Sequence, residues 1–257
     1  MEDHLILLIM VSWPEESVFF QQVGLWNSPY GDFFLEWYSG MLVAHGKRML
    51  GAAKAVFRGC RVNVSGKVGG IHWHYNTHSH APELTAGYYN TKLRDGYLPF
   101  TRMFARQGVV LSLTCLEMWD VEQPPEAMCS HEKLIKQMMS GACRVGLSVS
   151  GENALPSFDA VALRQVIKNS FHDYGSRGIR CEPMRAFTFR RMGPALFHRE
   201  NWHNFVHFVR QMAEGQKSRS RWHERESFFK GAQAFTKDQF GNELISHLEK
   251  KATSFIV

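Results

Sequence analysis

From Asp32 to about Phe57, apolar residues recur at the i, i+3, i+4, i+7 spacing of a helix with one buried face. Phe34, Trp37, Tyr38, Met41 and Leu42 carry that face. Asp32 is placed to cap this helix and Gly59 to stop it. The period then alternates between strand and helix. Val62 to Ile71 predicts a strand, and Tyr97 to Arg106 a helix with Leu98, Met103 and Phe104 apolar. Val109 to Thr114 predicts a short buried strand, and Ser130 to about Ala142 a helix. Gly146 to Ser150 predicts a weaker strand and Asp159 to Asn169 a helix. Ala186 to Phe189 predicts a strand, followed by a helix from about Asn201 to Met212. Trp202, Phe205, Val206, Val209 and Met212 share the apolar face of that last helix. Residues 12–31, rich in Trp, Pro, Gly and Asn, read as irregular, as does the long stretch from Ile71 to about Arg94.

One helix followed by βαβαβαβα predicts an α/β fold with a parallel sheet covered by helices. Two architectures fit: an open doubly wound sheet and a (β/α)8 barrel. A dinucleotide-binding open sheet carries a glycine-rich turn after its first strand. Gly66-Lys67-Val68-Gly69-Gly70 has the wrong spacing and lies inside the strand, which argues against that choice. Four strands are half of what a barrel needs, so the chain reads as half a barrel.

Composition narrows the class. Of 257 residues, 44% are apolar and 21% charged, enough for a packed core. No apolar run is long enough to cross a membrane. The apolar start, Leu5 to Val11, follows Glu2 and Asp3, where a secretory signal carries base. Five cysteines (Cys60, Cys115, Cys129, Cys143, Cys181) are scattered, with no CxxC, which disfavours a disulfide framework and a zinc ribbon. The net charge of +6 is concentrated late: residues 215–257 hold eight Lys/Arg against five Asp/Glu. Residues 216–257 therefore read as a basic, poorly ordered tail rather than a nucleic-acid patch, and residues 1–215 as the folded domain. The histidines His72, His74, His78 and His80 with Glu83 invite a metal reading, since imidazoles two apart can share an ion.

The residues that follow the predicted strands carry the chemistry. They are His72, Trp73, His74 and Tyr75 after the first, and Thr114 to Glu117 after the second. Glu152, Asn153 and Ala154 follow the third, and Arg190 and Arg191 the fourth. In parallel barrels the active site is built at these ends. Carboxylates, hydrogen-bond donors and aromatic rings suit a neutral polyhydroxylated ligand such as a sugar. No acyl-transfer motif and no phosphate-cradling loop is evident.

These segments resemble the β-amylases, glycoside hydrolase family 14. The resemblance is carried by Lys67-Val68-Gly69-Gly70-Ile71-His72-Trp73-His74-Tyr75 and by His80-Ala81-Pro82-Glu83-Leu84-Thr85-Ala86-Gly87-Tyr88-Tyr89-Asn90. It continues in Leu113-Thr114-Cys115-Leu116-Glu117-Met118, in Glu122-Gln123-Pro124 and in Gly151-Glu152-Asn153-Ala154-Leu155-Pro156. Gly31-Asp32-Phe33-Phe34-Leu35-Glu36-Trp37-Tyr38-Ser39 also matches, and His74 with Tyr75-Asn76-Thr77 is most similar to the plastid branch of the plant enzymes. The resemblance implies a (β/α)8 barrel, of which this chain holds about the last four units. It implies release of β-maltose from the non-reducing ends of α-1,4-glucans with inversion. Such hydrolysis uses two carboxyl groups ~6.5–9.5 Å apart, one protonating the leaving oxygen and the other activating a water.

By the match, Glu152 is the general base, and Lys67, His72, Thr114, Asn153, Ala154 and Arg191 contact the substrate. No cofactor and no metal is implied, the histidines included, and the expected partner is starch or maltooligosaccharide, with no nucleic acid and no membrane. The expected compartment is plastid or cytoplasm. The family's general acid, mobile lid and several sugar contacts belong to the amino-terminal half of the barrel, which has no counterpart in this chain. The open half-barrel is therefore expected to self-associate and to hydrolyse starch weakly or not at all. Glu117 is the remaining carboxylate that could act as acid. A glucan-binding relative without catalysis is the rival reading. The chain departs from the family at Trp119, where Arg or Lys is usual, at Ser157-Phe158 in place of Arg-Tyr, and at Arg190, which takes an apolar position.

Overall fold

The computed structural model describes residues 14–175, 181–190 and 192–220. The stretch Leu5 to Val11, Arg191 and most of the predicted tail lie outside the described residues.

The first long helix, α1, spans Pro29–Val56. Its cap is Ser28, not Asp32: the Ser28 hydroxyl accepts from the Gly31 amide at 3.1 Å, and Pro29 supplies a preset φ at the first helical position. Asp32 falls in the first turn and accepts from the Tyr89 hydroxyl. Gly59, at φ +85°, ends the helical path after Val56. The buried face of α1 also differs from the predicted one. Leu35 and Ser39 are buried, whereas Trp37 and Met41 are exposed. The reason is position: one flank of α1 packs against the Leu25–Asn27 turn, where Leu35 clusters with Trp26, Leu84 and Tyr89, and against the later helix Leu98–Gln107. Tyr30, Phe33, Trp37 and Met41 line the other flank, uncovered among the described residues.

Four strands follow, each with its helix. Strand β1 is Ser65–Lys67, and two helices come after it, the short α2 (Ala81–Thr85) and α3 (Leu98–Gln107). Then come β2 (Val110–Leu113), α4 (His131–Arg144), β3 (Val149–Glu152), α5 (Ala160–Phe171), β4 (Ala186–Thr188) and α6 (Arg199–Ser220). The predicted order is present and the edges moved. β1 is three residues rather than the run Val62 to Ile71, because it pairs only with β2 and glycines at 69 and 70 weaken the run beyond it. β3 starts later than Gly146 and runs on through Glu152. Asp159 caps α5 as expected from its start, accepting from the Val161 and Ala162 amides. Helix α6 continues past residue 215 to Ser220.

All three strand pairings are parallel, in the order β1-β2-β3-β4. A doubly wound sheet reverses its strand order at a switch point; this sheet never does, as in consecutive units of a (β/α) barrel. Leu111 and Leu113 of β2 pack with Leu134 and Met138 of α4, Val166 of α5 and Phe208 of α6 in one core. Phe208 was not among the predicted face residues of α6, and Val206, which was, stays outside this core. Cys143, at the end of α4, is disulfide-bonded to Cys181, although the scattered cysteines disfavoured a disulfide framework. A sequence separation of 38 places these two cysteines on neighbouring βα units, a proximity that scattered sequence spacing does not reveal.

The loop after β1 is pinned by a buried polar network. Glu83, fully buried, meets His80 Nδ1 at 2.6 Å through Oε2, while its Oε1 accepts from Tyr97 Oη at 2.8 Å and Asn90 Nδ2 at 3.0 Å. Both Glu83 oxygens have partners here, which ties three parts of a long loop together.

Candidate active site at the strand ends

Side chains alternate along a strand between the helix-covered face and the inner face. On β4 and just beyond it, Phe187 and Phe189 pack against Phe208 and Phe205 of α6. Ala186, Thr188 and Arg190 therefore take the inner face. On β3 the outward positions are Val149 and Gly151. A Cβ on Gly151 would stand 2.1 Å from Leu116 Cδ1 and 2.9 Å from Met184 Sδ, so glycine alone lets the strand pass. That sends Ser150 and Glu152 inward. On β1, Gly66 lies against the Phe104 ring and Lys67 faces inward. The register aligns Lys67, Ser112, Ser150 and Ala186 in one row. Three of these are small, so Lys67 is the long side chain of the row. It reaches to Glu152 in the next layer, where Thr188 is paired.

Glu152 is the centre of the cluster. Its side chain is 10% exposed, and its Oε1 accepts from both Lys67 Nζ and Arg190 Nη1, the latter at 2.9 Å. Burial alone raises the Glu152 pKa. The hydrogen bonds and charges of Lys67 and Arg190 outweigh it, so the carboxyl stays below its ordinary range and is ionised at neutral pH.

Asn153 is 2% exposed and works on the frame. Its Oδ1 accepts from the Arg190 amide at 2.6 Å, and its Nδ2 donates to the carbonyls of Arg190 and Leu155 at 3.0 and 2.8 Å. The side-chain amide thus extends the β3–β4 ladder beyond the last backbone pair. Glu117 is also buried, and its Oε1 accepts from the amides of Ala154 and Leu155 at 2.8 and 2.7 Å. Burial raises the Glu117 pKa, with those amides pulling the other way, and its Oε2 is buried without a partner. Through Oε1 this carboxylate holds the loop that follows Glu152.

Thr114 is half-buried at the end of β2, next to Cys115, whose φ of +63° turns the chain sharply away. The Cys115 thiol is raised by burial, and the charges of Glu117, Glu152 and Lys67 all act on it, which places it beside the cluster. His72 stands apart from the ion pairs. Its ring packs edge-on against Trp73 and His131, at 5.5 and 5.3 Å between centroids, and burial lowers its pKa. The backbone of His72 is fixed by a 2.9 Å bond from the Ser130 amide.

Lys67, Glu152 and Asn153 are thus brought together with Ala154 adjoining and Thr114 nearby, His72 lies to one side, and Arg191 is not described. Arg190 was read as a strand-end residue but given no contact of its own, and His131 and the holding role of Glu117 escaped the sequence reading. The alternation around Phe187 and Phe189 would have placed Arg190 on the inner face; nothing in the pattern marked His131. The histidines of the loop have separate neighbours: His72 meets His131, His78 meets Trp26 and His80 meets Glu83. Among the described residues no three His, Cys, Asp or Glu side chains converge on one point. Two departures from the family pattern also have a physical setting. Lys168 lies over the Trp119 ring at 4.6 Å, and Phe158 packs in the core against Phe189.

Comparison with known proteins locates this arrangement. The pattern of glycosyl hydrolase family 14 matches residues 6–218. "Beta-amylase 1, chloroplastic" of Oryza sativa subsp. japonica is 52% identical over 210 residues, which cover 81% of this chain and 38% of that protein. "Beta-amylase 1, chloroplastic" of Arabidopsis thaliana is 50% identical over 212 residues, covering 80% of this chain and 36% of that protein. The crystal structure of the catalytic domain of beta-amylase from Paenibacillus polymyxa aligns with a TM-score of 0.56 at 27% identity. It covers 72% of this chain and 41% of that one. The chain therefore spans well under half the length of the relatives it matches.

Proposed function

The chain belongs to glycosyl hydrolase family 14, and on that premise we propose that its strand-end cluster is the base side of a β-amylase-type site. The ligand is the non-reducing end of an α-1,4-glucan such as starch, and the reaction is inverting release of maltose. The observation that carries this reading is the ionised Glu152 at the end of β3, held by Lys67 from β1. An inverting base must be charged before it meets its water, and it must be aimed. The two cations on Glu152 keep it charged, and the Asn153–Arg190 ladder fixes the strand end that aims it. Lys67, His72, Thr114, Asn153, Ala154 and Arg191 form the sugar-facing rim in this reading. Plastid location follows from the likeness to the chloroplastic relatives.

A second reading, glucan binding without turnover, is favoured by one observation. Glu117, the other carboxylate at a strand end, is buried and its Oε1 holds the Ala154 and Leu155 amides, so it serves a loop instead of facing the open end of the sheet. A positioned general acid contributes ~10²–10⁴ in rate, so the chain by itself should bind maltooligosaccharide and turn it over slowly or not at all. Among the described residues β1 and β4 each pair on one side only, and closing those edges against a second copy would give eight strands.

The test is calorimetric titration of the purified chain with maltohexaose, with cellohexaose as control, alongside maltose release from starch. Glu152→Gln should leave maltohexaose binding largely intact and remove whatever maltose release the chain has, because the base acts in the transition state. No discrimination between the two hexaoses would sink the glucan reading. Undiminished release by Glu152→Gln would take Glu152 out of the mechanism.

A further inference from the structure

We propose that Arg190 is a positioning residue for Glu152: with Lys67 it pins one carboxylate oxygen, Oε1, and leaves Oε2 as the oxygen that takes the proton from water. This rests on reading Glu152 as the base.

Three observations converge on Arg190. Its place on the inner face is dictated by strand alternation, since Phe187 and Phe189 are held outward by Phe208 and Phe205. Its backbone is locked on both sides of the residue, N–H and C=O, by the Asn153 side chain. Its guanidinium therefore starts from a fixed point one strand away from Glu152 and meets Oε1 at 2.9 Å. Lys67 reaches the same oxygen from β1, at the other edge of the sheet. A carboxylate gripped at one oxygen from two directions has lost its freedom to rotate, and the lone pairs of its second oxygen are fixed in direction.

Arg190 thus adds a second grip on the base beside that of Lys67. Its consequence is twofold. The carboxylate is better aimed, and it is a weaker base, because a second cation stabilises the ionised form. The charged and titratable groups that face Glu152 are Lys67 from β1, Cys115 after β2 and Arg190 after β4.

The experiment reads the carboxylate directly and needs no turnover, so it can fail while the functional reading stands, and the reverse. The chain is produced with ¹³C-labelled Glu, and the Glu152 carboxyl resonance, assigned by its loss in Glu152→Gln, is followed through an acid titration. In Arg190→Gln the titration midpoint should move up, and in Arg190→Lys it should return part of the way toward the parent value. Backbone amide spectra should keep the fold, because the bonds to Asn153 use only the Arg190 backbone. An unchanged midpoint in Arg190→Gln overturns the proposal. A reciprocal reading covers the case in which that variant does not fold: the Arg190 guanidinium resonances should shift in Glu152→Gln, and unmoved resonances overturn the proposal equally.

Discussion

Replacing His131 should remove an acid sensitivity that is built into the core. The ring lies in the first turn of α4, 2% exposed, with no side-chain hydrogen bond to either nitrogen among the described residues. Burial is the main cause that lowers its pKa, and the neighbouring His72 adds to it. The Asp120 and Glu132 charges and the Cys115 backbone only partly oppose them, leaving the pKa at about 4 against an ordinary 6.5. Below pH 6.5 the unfolded chain therefore takes up a proton that the folded chain refuses. The stability contribution is full above 6.5 and is lost progressively as pH falls toward 4. The gap from 6.5 to about 4 corresponds to ~3 kcal/mol at the acid limit, of which about 2 kcal/mol falls between pH 7 and pH 5. The perturbation is His131→Phe, which keeps a ring for the edge-on contact with His72 and cannot titrate. Urea unfolding of both chains at pH 7, 6 and 5 supplies the numbers. At pH 7 the variant should match or exceed the parent, since two poorly satisfied buried nitrogens are gone. By pH 5 it should lead by about 2 kcal/mol more than at pH 7. Acid loss from other groups cancels in the difference, so parallel pH profiles for the two chains would refute the reasoning.

Two further outcomes follow from the fold. Reducing the Cys143–Cys181 bridge, or replacing Cys181 by Ser, should lower stability by about 4 kcal/mol on the chain-entropy account of a 38-residue separation; an unfolding midpoint indifferent to reductant would contradict it. Sedimentation velocity over a range of concentrations should show the purified chain associating, with dimer as the first species, because β1 and β4 each have one unpaired side among the described residues; a monomer at every concentration would remove self-association from the reading.

How much of this was legible beforehand depended on which signal each feature leaves. The order of elements came from period changes, and the structure keeps every one of the predicted strands and helices. Strand ends moved because pairing sets them: β3 runs to Glu152 since it is flanked by β2 and β4, while β1 is cut short by its single partner. The face of α1 was misjudged because Trp37 and Met41 form a regular stripe with Tyr30 and Phe33, and periodicity does not say which of two apolar flanks meets the core. Lys67 and Glu152 were legible by motif. Their ion pair was not, since it depends on small residues at 112, 150 and 186 leaving the row open. The cap was misplaced because Ser28-Pro29 is a cap signal in its own right, and Asp32, four residues later, lies where an acid also suits a helix start.

The ion-pair cluster is better explained by what it does to Glu152 than by any strength it lends the fold. Lys67 and Arg190 are 44% and 43% exposed, so water and salt screen both contacts. Exposed pairs of this kind contribute roughly 0–1 kcal/mol each, less than the hydrophobic burial of a single core leucine. A bridge serving stability would balance its charges and be buried with them. Here two cations converge on one oxygen of one carboxylate, a net positive arrangement left half in solvent. The glycine at 151 points the same way. It brings β3 against Leu116 and Met184 at the cost of backbone freedom, and the residue it positions is Glu152. Asn153 then spends three hydrogen bonds on the one strand end from which Arg190 reaches that carboxylate. Each of these devices costs the chain something locally, and the benefit they share is a fixed, ionised Glu152 at the open end of the sheet.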